Sequence, residues 1–372
     1  MGILPVIGGG DAPAGAWPDV AALRDGTGKL LCTGTLVAPT IVLTAGHCDR
    51  TDLVDVLIGT DALDHPERGE VIAVMTRLSY PSAASSEDVA ALVLARPSVM
   101  APRALASGWA AFDIANGARA VVVGYGATDA AGTVFVPALQ QGMTTITDFD
   151  CATSHGCNAG ALPAGELGAG GMGIDACPGD SGGPLYLPTA YGTFLAGVTS
   201  RGYDGQVAVC GGGSIYARAD AVLGWLEQAT GVAMVHGPEP AAPAIAATLA
   251  AGGETIIDPR DPRDTGHRFA IVAQPAHGTA KVRGDGTVRV CPAAAGDDAV
   301  TIAIADASDP TRSLALAIPI HATGDAGPCD VSAFSDGRGD GEGGCCDSGR
   351  SGGGPLALAV VVFGALRRRR RC

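Results

Sequence analysis

The sequence predicts an all-β protein with two successive antiparallel β-barrels, a closing helix and a further small β-sandwich. Short apolar runs, such as Thr35–Val37, Ile41–Leu43 and Ala120–Val123, alternate with turns rich in Gly, Pro and Asp. The alternation continues from Val6 to about Tyr216, which is long enough for two barrels of short strands.

A helix is predicted directly after the last strand of this region. Val222, Leu223, Leu226 and Ala229 fall on one helical face, and Asp220 precedes them as an N-cap. The helix would close the barrel region.

A second domain is expected because 372 residues exceed what one hydrophobic core usually serves. Gly237–Pro243 is a Pro/Ala linker, and beyond it Gln274–Val282 and Gly284–Val290 are typical of a hairpin with an Asp-Gly turn. Two more alternating runs follow, ending at Ile320. Residues 233–323 resemble a cadherin-like or Ig-like bacterial β-sandwich, a module that more often serves as a spacer than as a binding domain.

Composition limits the compartment and the partners. The formal net charge of -14 excludes a typical nucleic-acid partner. Eleven cysteines favour an oxidising compartment outside the cytoplasm. Met1–Pro5 is too short for a secretory signal and lacks a basic start, so it is interpreted as a leader remnant.

Ser181 lies in the glycine-flanked turn Gly179–Pro184, where backbone N–H groups can point at developing negative charge. A serine hydroxyl alone is inert at neutral pH, so it needs a base and an orienting acid. His47, in Thr44–Cys48, and Asp88, before an apolar strand, supply them. The neighbouring acid, Glu87, is out of register with that strand.

These segments, in the chain order His, Asp, Ser, resemble the trypsin/chymotrypsin family of serine proteases over about residues 6–230. The resemblance implies two six-stranded barrels and a C-terminal helix within residues 6–232. It also implies a serine endopeptidase that acts on proteins or peptides without a cofactor. The backbone N–H groups of Gly179 and Ser181 would form the oxyanion hole, and Ser200 aligns with the family serine that hydrogen-bonds the triad aspartate.

The resemblance further assigns a substrate pocket. Asp175 lies six residues before the nucleophile, where trypsin-type enzymes carry the carboxylate at the pocket base. A buried unpaired carboxylate is costly, so cleavage after Arg or Lys is expected, with Ser200, Gly202 and Ser214 also contributing to substrate binding. Two residues depart from the family pattern: Arg201 could compete for Asp175 or repel a basic side chain, and the Ser214 side chain could narrow the pocket.

Activation is also implied by resemblance. Val6–Gly9 is similar to the mature family N-terminus, whose freed ammonium pairs with the aspartate before the nucleophile, here Asp180. Pro5 stands where the family usually has Arg or Lys, so we expect leader removal or a dedicated protease to generate the Val6 amine.

The family pattern implies the disulfides Cys32–Cys48 and Cys177–Cys210. Cys151 could bridge the nearby Cys157, whereas the family usually pairs such a cysteine with one nearer the nucleophile, about where Pro163 stands.

No metal site is predicted. Some family members hold calcium in an acidic loop, but solvated charge explains better the acidic cluster formed here by Asp61, Asp64, Glu67 and Glu70. His65 and His155 show no metal-ligand spacing.

The C-terminal segment predicts surface attachment. Gly324–Gly354 is a Gly/Asp-rich tether, and a cysteine pair, the apolar stretch Pro355–Leu366 and five arginines resemble a MYXO-CTERM sorting tail. Twelve apolar residues span about 18 Å as a helix, against ~30 Å of hydrocarbon. The tail predicts an extracytoplasmic protein anchored at the cell surface or outer membrane; the alternative is an ordinary stop-transfer helix.

Two functions remain open from sequence alone. The first is a secreted, surface-tethered serine endopeptidase. The second is a catalytically silent protease fold that serves as an adhesin or binding module.

Overall fold

The structure is a computed structural model that describes residues 5–80, 88–153, 156–158, 165–189, 191–238, 245–247, 255–259, 267–283, 286–306, 313–324 and 327. It forms two compact units, which divide between Pro238 and Glu239. The division lies inside the linker expected at Gly237–Pro243.

The described part of the first unit begins with a turn at Pro5–Gly8, where Val6 and Ile7 have non-helical backbone angles. The strand β1 (Gly10–Asp11) follows. The next six strands form a closed antiparallel barrel in the order β2-β3-β4-β7-β6-β5. They are β2 (Val20–Asp25), β3 (Leu30–Ala38), β4 (Ile41–Thr44), β5 (Leu53–Ile58), β6 (Glu70–Ser79) and β7 (Ala90–Leu94).

The second barrel uses the next six strands, all paired antiparallel. They are β8 (Arg119–Gly124), β9 (Gln140–Asp148), β10 (Glu166–Ala169), β11 (Pro184–Thr189), β12 (Gly192–Gly202) and β13 (Ser214–Arg218). Their order is β9-β10-β13-β12-β11-β8, and β8 pairs back to β9, which closes the barrel, while β1 extends the edge at β9. The fold class and the two six-stranded barrels are therefore confirmed.

Short 3₁₀ turns occupy Gly46–Cys48, Pro66–Arg68 and Gly108–Asp113. The helix expected after the second barrel spans Leu223–Thr230 and ends at Gly231, which has the left-handed φ of 66°. The N-cap expectation was wrong, because the Asp220 carboxylate pairs with Arg218 at 2.7 Å, and no side chain of the described residues caps the helix.

A buried polar contact joins the two barrels. The Arg103 guanidinium, in the connection between them, donates to both oxygens of Asp19 at 2.6 and 3.0 Å. The Tyr186 hydroxyl, on β11, donates to Asp19, which is fully buried. Trp17 stacks on the Tyr186 ring with centroids 4.5 Å apart, so this contact fixes β11 beside the entry to β2.

The described part of the second unit contains seven strands in two sheets. They are β14 (Ile245–Ala247), β15 (Thr255–Ile257), β16 (His267–Ala273), β17 (Gly278–Val282), β18 (Val288–Pro292), β19 (Gly296–Asp306) and β20 (Ser313–Ala322). One sheet has the order β14-β20-β19-β16 and the other β15-β18-β17. The expected hairpin is β17–β18, and both sheets bury apolar side chains, Val290 on one and Ile302 on the other. The cadherin-like or Ig-like assignment stays a prediction.

The expected sorting tail, residues 355–372, lies outside the described residues, as does most of the tether. Within the described ranges, no helix combines the length and apolarity that crossing a membrane requires.

Candidate active site

The turn that carries Ser181 depends on two glycines with positive φ. Gly179 has φ +101° and Gly182 has φ +78°, angles that residues with a Cβ rarely adopt. A Cβ on Gly182 would also collide with Thr44 and Thr33. The turn therefore presents Ser181 immediately before β11.

The same turn is hydrogen-bonded to the first barrel. The Thr33 amide, on β3, donates to the Ser181 carbonyl at 2.9 Å, and the Thr33 hydroxyl donates to the Gly179 carbonyl at 2.8 Å. Cys48 Sγ lies 3.6 Å from the Ser181 carbonyl oxygen, and a ring nitrogen of His47 lies within 4.8 Å of that sulfur. These contacts bring Ser181 and His47, from different barrels, to one place.

His47 and Asp88 make two direct hydrogen bonds. The ring Nδ1 of His47 lies 2.7 Å from Asp88 Oδ2, and the His47 amide donates to Oδ1 at 2.8 Å. The Ser200 hydroxyl donates to Oδ2 at 2.7 Å. Burial alone would raise the pKa of Asp88, but the hydrogen bonds from His47 and Ser200 hold that pKa below its ordinary value. Asp88 is thus kept ionised beside an imidazole that is about half exposed. Glu87 lies outside the described residues.

Asp180 is completely buried beside the nucleophile. Its carboxylate accepts from the Gly126 amide at 2.7 Å and from the Cys177 amide at 2.9 Å. Burial raises the pKa of Asp180 to about 7, and the charge of Asp175 adds to the rise. Val6 is also fully buried, and in this chain its nitrogen is in peptide linkage to Pro5. The expected ion pair therefore stays a prediction for a chain that begins at Val6.

Asp175 is buried and accepts four hydrogen bonds from its own chain. Oδ1 accepts from the Ser214 hydroxyl at 2.6 Å and the Ala176 amide at 2.9 Å. Oδ2 accepts from the amides of Gly211 at 3.0 Å and Gly213 at 2.9 Å. Burial raises the pKa of Asp175, and these hydrogen bonds oppose the rise only in part.

Arg201 does not compete for Asp175, contrary to the alternative raised from sequence. Its guanidinium pairs with both oxygens of the buried Glu166, at 2.7 and 2.9 Å, and also donates to the Ser200 hydroxyl at 3.2 Å. Two residues near the site, Glu166 and Gln206, were not identified from the sequence. Glu166 pairs with Arg201, and the Gln206 amide hydrogen-bonds to Gly212 and Gly213. Neither belongs to a motif, and Glu166 is 35 positions from its partner.

Three disulfides have both of their cysteines among the described residues: Cys32–Cys48, Cys151–Cys157 and Cys177–Cys210. The first ties the His47 turn to β3, and the last ties the nucleophile turn to the segment before β13. The position of Pro163 lies outside the described residues.

Among the described residues, two groups have side-chain atoms of metal-ligand type within 4.8 Å of one another: Cys32, His47 and Cys48, and Cys151, Cys157 and Glu166. All four cysteines are in disulfides, so they offer no thiolate.

In the acidic stretch, three carboxylates pair with basic side chains: Asp61 with Arg68, Glu67 with His65, and Glu70 with Arg96. His155 lies outside the described residues.

Part of the chain is similar to known proteins. The family model described as Trypsin matches residues 6–226, more than half of the chain. Glucanase inhibitor protein 4 of Phytophthora infestans is 34% identical over 187 residues, which cover 48% of this chain and 71% of that protein. Among solved structures, neuropsin, a serine protease expressed in the limbic system of mouse brain, is 25% identical with a TM-score of 0.50; the match covers 60% of this chain and 98% of neuropsin.

Proposed function

The chain belongs to the trypsin family, and from that premise we propose that its first unit is a serine endopeptidase working through an acyl-enzyme intermediate. The observation that carries the proposal is the hydrogen-bonded series Ser200–Asp88–His47 next to the Ser181 turn. Trypsin-like proteases act on proteins or peptides, and these are the proposed substrates. The expected preference for Arg or Lys depends on the Asp175 carboxylate being open to the substrate.

In the proposed mechanism, His47 takes the hydroxyl proton of Ser181 as its oxygen attacks the scissile carbonyl. The proton then passes from the imidazole to the leaving amine, and water repeats the sequence on the acyl-enzyme. Asp88 holds the ring through Nδ1 and stabilises the imidazolium. The amides of Gly179 and Ser181 would stabilise the oxyanion, a contribution of ~3 to 4 kcal/mol for each donor.

Labelling with a fluorophosphonate probe tests this mechanism on protein that begins at Val6. Such protein should be labelled, Ser181→Ala should not, and His47→Ala should slow labelling about a thousandfold or more. Ser313→Ala, an exposed serine on β20, is the matched control and should label like the parent. Absence of any label that depends on Ser181 would reject the proposal.

A second candidate is a catalytically silent binding module. The relative named Glucanase inhibitor protein 4 carries a name that describes inhibition, and it favours this candidate. The two candidates differ in one outcome, because a silent module would fold with intact disulfides and yet leave Ser181 unlabelled.

We also propose an extracytoplasmic location with attachment at the cell surface through the C-terminal tail. The three disulfides support an oxidising compartment. Cell fractionation should find the full chain with the envelope and a chain ending at Gly324 in the medium. Equal release of both chains would reject attachment by the tail.

A further inference from the structure

The segment from Gly202 to Ser214 folds back over Asp175. We infer that this segment closes the primary pocket to Arg and Lys, so that the pocket accepts a short, uncharged side chain such as Ala before the scissile bond. The inference rests on the proposed function, since it specifies the substrates of the same site. It replaces the preference for Arg or Lys expected from sequence.

The first reason is the state of the Asp175 carboxylate. An ionised carboxylate offers about four lone-pair sites for hydrogen bonds. Asp175 uses four, because it accepts from Ala176, Gly211, Gly213 and Ser214. The expectation of a basic substrate assumed a buried carboxylate that lacks partners. Here the chain supplies those partners, so a guanidinium or ammonium group would have to displace one of them.

The second reason is the position of the Gln206 amide. Its Nε2 donates to the Gly213 carbonyl at 2.7 Å, and its Oε1 accepts from the Gly212 amide at 3.1 Å. A Cβ built on Gly202 would come within 2.5 Å of the same Nε2. Gly202 is paired with Ser214 between β12 and β13. The amide therefore fills the space between the end of β12 and the residues that bind Asp175.

Tyr203 fixes this arrangement from the other side. Its amide donates to the Gly213 carbonyl at 3.0 Å, and its hydroxyl lies 3.0 Å from the Thr147 hydroxyl. The Tyr203 ring occupies the space that a Cβ on Gly213 would need. The Gly213 carbonyl thus accepts from both Tyr203 and Gln206. A long basic side chain must break these contacts to reach Asp175, whereas a short side chain breaks none.

Matched peptide substrates that differ only in Ala or Arg before the scissile bond test the inference. For protein that begins at Val6, we expect kcat/KM to be at least about tenfold higher for Ala. Gln206→Ala and Ser214→Gly should each move the Arg-to-Ala ratio about tenfold towards Arg. Val207→Ala, fully exposed on the same segment, is the control and should leave the ratio unchanged. Faster hydrolysis of the Arg peptide by the parent would overturn the inference.

Binding of benzamidine, an aromatic amidinium, tests the pocket without any turnover. Calorimetry on the Ser181→Ala protein should show at least about tenfold weaker binding than on the same protein carrying Gln206→Ala and Ser214→Gly. Equal binding by the two proteins would overturn the inference. Fluorophosphonate labelling distinguishes failure of the proposed function from failure of the closed pocket. If Ser181 is not labelled, the proposed function is wrong. If Ser181 is labelled but the protein prefers the Arg peptide, or benzamidine binds both proteins equally, only the closed pocket is wrong.

Discussion

The buried Asp180 makes the stability of the chain with Pro5 still attached depend on pH. Its pKa rises from the ordinary 3.8 to about 7 because the carboxyl is buried. The folded state therefore binds this proton more tightly than the unfolded state does. The stability from this difference is fully present below about pH 4 and is lost as the pH rises through about 7. At 1.36 kcal/mol for each pH unit between 3.8 and about 7, this difference in proton affinity corresponds to roughly 4 kcal/mol.

Urea unfolding between pH 4 and 8 measures this contribution when the parent is compared with Asp180→Asn. Asn cannot ionise, so the cost of placing its amide against Gly126 and Cys177 is the same at every pH. That cost displaces the variant's free energy of unfolding by a constant amount and does not change its pH dependence. We expect the parent to lose up to roughly 4 kcal/mol relative to the variant as the pH rises from 4 to 8. Parallel curves would refute the assignment of a raised pKa to Asp180.

A chain that begins at Val6 is the matched comparison. Its ammonium beside Asp180 would favour the carboxylate and lower the pKa of that group. The loss of stability towards neutral pH should then disappear, and activity should appear with it. If the chain from Met1 turns over substrate fully, the activation hypothesis is wrong.

Three further variants address the site and the disulfide beside it. Ser200→Ala removes the 2.7 Å hydrogen bond to Asp88, so kcat/KM should fall about tenfold and its acidic limb should move to higher pH, as a pH profile would show. Gly179→Ala places a Cβ 2.9 Å from backbone at φ +101°, and fluorophosphonate labelling should slow at least about a hundredfold; an unchanged rate would contradict the oxyanion role. Replacing Cys32 and Cys48 together by Ala should lower the free energy of unfolding by about 3 kcal/mol in urea titrations, and no change would exclude a stapling role.

The sequence was most informative where the residues of a motif are neighbours in the chain. The turn around Ser181 carries its own glycines and the segment around His47 its own glycine and cysteine, so roles for both could be proposed without coordinates. Asp88 needed only the register of the strand that follows it.

Contacts between distant segments could not be predicted. Arg201 finds Glu166 only because β10, β13 and β12 lie side by side, an order that no local pattern encodes. Gln206 lies in a segment without periodicity, so its bonds to Gly212 and Gly213 left no signal. Asp is a residue type that favours the N-cap position, yet Arg218, two residues away, forms an ion pair with the Asp220 carboxylate. In the second unit, β14 and β15 are three residues each and too short to show alternation.

Thr33 lies on β3, which is synthesised nearly 150 residues before the nucleophile turn that it binds. Its amide and hydroxyl have no carbonyl of that turn to bind until the later half of the unit has emerged from the ribosome and docked. A nascent or truncated polypeptide that contains only the earlier half therefore lacks a nucleophile altogether. One that has just completed the later half still has to dock it before Ser181 can reach the segment that carries His47, so the site cannot form until both halves are assembled.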